Sequence, residues 1–128
     1  MQLLLQELLT QARSLSSGAL TPGVSLFANT MPASPLVCTC IVLTGGFSDP
    51  LIPLRNPGFQ ILHRGTSPTS ILALANSLDT GFRDAWNTLP TIRAKIQASG
   101  ELSSPVYEQT KQCLYLSSNY ILTAIRLN

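Results

Sequence analysis

The chain has 128 residues, of which 45% are hydrophobic and only 11% charged, with a formal net charge of +2. That length suits one domain with a single core that needs neither disulfides nor a metal. The basic residues are scattered from Arg13 to Arg126 without a cluster, which excludes binding driven by a phosphate-contacting patch, and no apolar run is long enough for a membrane span.

Charge this sparse gives weak protection against self-association, so the composition points to a subunit of an assembly. Cys38, Cys40 and Cys113 cannot all pair and lack disulfide-scaffold spacing, which fits a reducing compartment. The opening MQLLLQELLTQARS has no basic start, and Gln6 and Glu7 interrupt its apolar run. It reads as an amphipathic helix rather than a signal peptide.

In chain order, Leu4, Leu5, Leu8, Ala12 and Leu15 form one stripe of a helix over 3–15, and the segment from Ser14 to Gly23, with Pro22, ends it. Val24, Leu26 and Ala28 alternate with Ser25 and Phe27 in a short strand that reaches Met31-Pro32. Leu36 to Leu43 is apolar on both faces, as a central strand would be. Phe59 to Arg64 alternates and is a further strand. Ser67 then caps a helix whose first residue is Pro68. Ile71, Leu74, Ala75, Leu78, Phe82 and Ala85 give that helix one buried face to about Trp86. Thr91 to Ala98 alternates strictly, Leu114 to Leu116 starts another strand, and Ser118 to Leu127 is a last one. The expected fold is α+β: a single domain over 1–128, with two main helices on one face of a mostly antiparallel or mixed sheet.

Residues 44–58 are the anomaly. This stretch joins two neighbouring strands through a projecting arm that contains Phe47, Leu51, Ile52 and Leu54 and is stiffened by Pro50, Pro53 and Pro57. Prolines reduce the freedom of the unfolded chain, so ordering the arm costs less. Connections beyond about 12 residues in a compact domain are usually functional or disordered. Two covers suit its apolar residues: the chain's own sheet, or a neighbouring subunit.

Cys38, Cys40, His63 and Cys113 are the right number of ligands for tetrahedral zinc. The C-x-C sits within an apolar strand, however, and buried free cysteine packs as a small hydrophobe. His63 has no nucleophile beside it in sequence, and the six acids form no acid–base pair. Gly45-Gly46 lacks the Lys-Ser/Thr of a phosphate loop. No catalytic residue, cofactor or metal site is expected. A small metal- or ligand-binding domain on those cysteines and His63 is the alternative from a different class.

The order of motifs resembles the tail terminator proteins of long-tailed double-stranded DNA bacteriophages, also labelled minor capsid or tail completion proteins. A leucine-rich helix is followed by LFANTMP (Leu26 to Pro32), CIVLTGG (Cys40 to Gly46), NPGFQILHRG (Asn56 to Gly65), the helix from Pro68, and SSNYILTAIR (Ser117 to Arg126). The turn before the last strand departs from the family's aspartate and Gly-Arg pair, with Glu108, Thr110, Lys111 and Gln112 there. The resemblance implies a non-catalytic virion protein, made in the host cytoplasm, that forms a six-membered ring at the head–tail junction. Its implied partners are copies of itself, the tail tube protein, the connector or stopper protein and, in a contractile tail, the sheath protein. DNA only passes through the lumen, and no membrane is involved. A head–tail stopper or adaptor is the neighbouring alternative. Phe47, Leu51, Ile52, Leu54, Arg55 and Arg64 are the candidate interface residues.

Overall fold

A computed structural model of the protein describes residues 2–44, 58–82, 85–88, 92–98, 106–109 and 112–127. Helix α1 (Gln2–Leu15) leads into strands β1 (Leu26–Ala28), β2 (Cys38–Thr44) and β3 (Gly58–Gly65). Helix α2 (Pro68–Phe82) and strands β4 (Ala85–Thr88), β5 (Ile92–Ala98), β6 (Val106–Glu108) and β7 (Cys113–Leu127) complete the order. The seven strands form one mixed sheet, β1-β2-β3-β7-β5-β4, with β6 also paired to β7. Among these strands β1 and β2 run parallel, and the other strand pairings are antiparallel. The protein is therefore a single small α+β domain.

Register sorts the side chains into two faces, because successive residues in a strand point to opposite sides. Leu43, Phe59 and Tyr120 stand in one row, and Ile41, Ile61 and Ser118 in the next. With Ile96 and Leu122 they meet Leu8 and Ala12 of α1 and Leu78 and Phe82 of α2 in the main core. Both helices thus lie on this face. Phe59 stacks on Tyr120 at 5.0 Å between centroids and meets Phe82 edge-on at 5.4 Å. The Tyr120 hydroxyl donates to Asp79 Oδ1 of α2 at 2.7 Å, which satisfies the one polar atom that the ring brings inside.

The helix ends follow local chemistry. The Ser17 N–H donates to the Ser14 carbonyl and the Gly18 N–H to the Arg13 carbonyl, both at 3.0 Å. Ser17 and Gly18 take positive φ there, and these paired bonds satisfy carbonyls that the last turn of α1 would leave open. Ser67 caps α2 through its Oγ, which accepts from the Ser70 N–H at 3.4 Å, as its place before Pro68 suggests.

Three expectations need correction. Helix α2 stops at Phe82, and Ala85 and Trp86 belong to β4, paired with Ile96 and Lys95. Gly81 weakens the last helical turn, and the sheet ladder takes the next residues. The two C-terminal strands expected at 114–116 and 118–127 are one strand, because β3 pairs with residues across the intervening Ser117. The strand expected from Val24 begins only at Leu26: residues 23–25 form a turn, and the Val24, Ser25 and Leu26 N–H groups all donate to the Thr21 carbonyl. Strand β6 was not expected; three residues are too few to show a period.

Residues 45–57 lie outside the described residues, and with them Phe47, Leu51, Ile52, Leu54 and Arg55. They are flanked by Thr44 and Gly58, which pair at the end of the β2–β3 ladder.

Candidate functional site

The interesting chemistry gathers at the other end of that ladder, where β2 begins and β3 ends. Cys38 pairs with Arg64 and Thr39 with His63. Side chains in these two rows point to opposite faces, so one short step along the strands separates two different environments.

Arg64 is 3% exposed and lies on the face away from the helices. Its Nε donates to the Leu36 carbonyl at 2.6 Å, while one terminal nitrogen donates to the carbonyls of Pro35, at 2.8 Å, and Pro32. The same nitrogen lies 3.4 Å from Cys38 Sγ. All three carbonyls belong to the segment that carries the chain from β1 back to the parallel start of β2. Parallel neighbours usually need a longer crossover containing a helix; here a planar arginine fork holds a short irregular one. Arg64 is a candidate polar partner for another subunit; within its own chain its guanidinium holds the 32–36 segment.

On the helix face the same strand ends wall a cavity of about 350 Å³. Leu20, Val37, Ile71 and Leu74 are among its apolar lining residues, and Ser25, Thr66, Ser67 and Ser70 among the polar ones. Val37, directly after the segment clasped by Arg64, is 58% exposed and forms a lip. The clasp on one face therefore positions the rim of a cavity on the other.

His63 lines this cavity and is 1% exposed. Its Nδ1 lies 3.0 Å from Thr39 Oγ1, and its Nε2 is buried with no hydrogen-bond partner. Burial lowers its pKa to about 4, which keeps the ring neutral at pH 7. Thr39 is as deeply buried, so this pair is sealed from solvent rather than offered as a nucleophile and base. A buried ring nitrogen without a partner costs about 1–3 kcal/mol.

The metal set suggested by residue types is split by the sheet. Cys38 and Cys113 lie on the Arg64 face, as Cys40 does, two residues from Cys38 along β2, whereas His63 points to the helix face. All three cysteines are buried free thiols. Burial raises the Cys40 pKa to about 11, with Cys38 adding to the shift. Burial also raises that of Cys38, against the opposing pull of Arg64. Thiols held protonated in this way are poor ligands and poor nucleophiles. Among the described residues no group of three or more His, Cys, Asp and Glu is placed to hold a metal.

Sequence reasoning missed the cavity, because no motif marks it and its walls come from four separate segments. It also missed Glu7, which lies on the buried side of α1 with neither carboxylate oxygen hydrogen-bonded. No protein-family model matches the chain, and no curated protein matches it significantly. No helix among the described residues is long and apolar enough to cross a membrane.

Proposed function

We propose that this protein is a phage tail terminator: a structural subunit that forms a ring, six-membered in the family it resembles, on the head-proximal end of the tail tube. The ring ends tube polymerisation and presents the surface that joins the filled head. The reading makes it a virion protein of the head–tail junction, with its own copies, the tube protein and the connector as partners, and assigns it no catalysis.

The observation that carries the reading is the placement of the arm. Thr44 and Gly58 are paired neighbours in an antiparallel ladder, so a hairpin of about 2–5 residues would join them. The chain inserts thirteen, 45 through 57, rich in apolar residues and proline. A small domain that keeps such an insertion on a sheet end uses it for contact. The sparse charge of the chain suits extensive contact with copies and partners, and the ordered motifs give the contact its setting.

Symmetry supplies the mechanism. A head-to-tail interface closes into a ring when its rotation closes and grows without limit when it does not. A terminator matches the tube on one side and refuses another tube ring on the other, by unmatched polar groups as much as by missing contacts. The test is the mass of the purified protein, alone and with tube protein. A ring, or one that appears on tube ends, is expected; a strict monomer that never joins tube ends would sink the proposal. Cross-linking to portal instead of tube would reassign it to the stopper or adaptor layer.

A further inference from the structure

The arm and the cavity lie at opposite ends of the same two strands. The arm leaves at the Thr44–Gly58 pair, and the cavity is walled by Thr39, His63 and Gly65 at the far end. We infer that the cavity is the receptor for the apex of the arm, residues 50–54, from the next copy of this chain. Each subunit then donates at one end of its sheet and accepts at the other. This deepens the ring reading and rests on it, because such a pairing is head-to-tail by construction and closes only as a ring or a filament.

Reach and shape favour another copy over the chain's own arm. Thr39 and Thr44 are five steps apart along β2, or roughly 17 Å at strand spacing. Leu51 is seven residues from each anchor, so a fully extended arm reaches about 23 Å. That suffices only if the arm folds straight back along the helix face. There α1 and α2 already cover Ile41, Phe59, Ile61 and Tyr120. The cavity of another copy has its lip, Val37, open to solvent.

The chemistry matches as well. The apex reads Pro50-Leu51-Ile52-Pro53-Leu54, and Leu20, Val37, Ile71 and Leu74 offer it apolar walls. Among the described residues that line the cavity Arg64 alone is charged, and its guanidinium is engaged with carbonyls of its own chain. The arm carries one charge of each sign, Asp49 and Arg55, so its net charge does not oppose burial of its apolar apex. Proline also lowers the entropy lost when the arm docks.

The test places a photo-crosslinking residue in the full chain, Leu51→benzoylphenylalanine, in an equal mixture of ¹⁴N- and ¹⁵N-labelled protein. Links from position 51 to residue 37 or to 66–74, joining differently labelled chains, are expected. Val37→Asp, at an exposed lip where the fold tolerates charge, is expected to reduce those links at least tenfold while thermal unfolding stays unchanged. Links within one chain, links to another surface, or links indifferent to Val37→Asp would overturn the pairing. A ring whose arm links elsewhere refutes this pairing alone; a chain that never self-associates or joins tube ends refutes the ring as well.

Discussion

The two faces of this sheet are held by different means. On the helix face, stability comes from area: Phe59, Ile61, Phe82, Tyr120 and Leu122 leave water together under two helices. On the opposite face, at the start of β2, it comes from one arginine that bonds the carbonyls of Pro32, Pro35 and Leu36. Apolar packing is redundant and tolerates partial loss, whereas a single fork has no substitute. The arginine face should therefore fail locally and the helix face globally.

Substitutions can break that contrast. Phe59→Ala removes the ring at the centre of the aromatic cluster and is expected to cost about 3–5 kcal/mol, read as a cooperative loss in denaturant unfolding. Arg64→Ala is expected to cost about 2–4 kcal/mol. Its signature differs: amide exchange should accelerate in residues 29–38 before the β3–β7 ladder opens. Arg64→Lys should recover little, since an ammonium cannot reproduce the planar fork. Uniform acceleration across the sheet would show that the clasp is part of the global core after all.

His63 sharpens the comparison through pH. Its folded pKa is lowered to about 4 by burial, against an unfolded value near 6.5. Between those values the unfolded chain binds a proton that the folded one does not, so stability falls as pH drops from about 6.5 to about 4. The fall is up to about 3 kcal/mol for this group. Stability is flat in this group above that window, and His63→Leu should flatten the slope within it. The smallest effect is Tyr120→Phe, which keeps the stack on Phe59 but loses the bond to Asp79. It is expected to cost about 1 kcal/mol, measured as a shift in unfolding midpoint at constant slope.

Much of the fold was legible because long periodic segments announce themselves. The stripe from Ile71 to Phe82, the Ser67-Pro68 start and the alternation of Phe59, Ile61 and His63 all carry a period that only one structure satisfies. Short or interrupted elements were not. Strand β6 has three residues, β7 has two serines in mid-strand, and β4 takes over where a helical spacing continued by chance to Ala85. The candidate site was legible only in part. His63 and Arg64 stood out as residue types, but whether Arg64 faces a partner or a proline loop depends on a pairing 28 residues distant. The cavity depends on segments that meet only in three dimensions.

The proposed tail-terminator role concerns a growing tube, and electron microscopy of tubes polymerised with and without the protein tests that proposal most directly. The account predicts tubes that stop lengthening and carry a ring-shaped cap at one end, with Leu51→Ser/Leu54→Ser leaving more ends bare. Tubes that lengthen equally in its presence, with both ends bare, would contradict it.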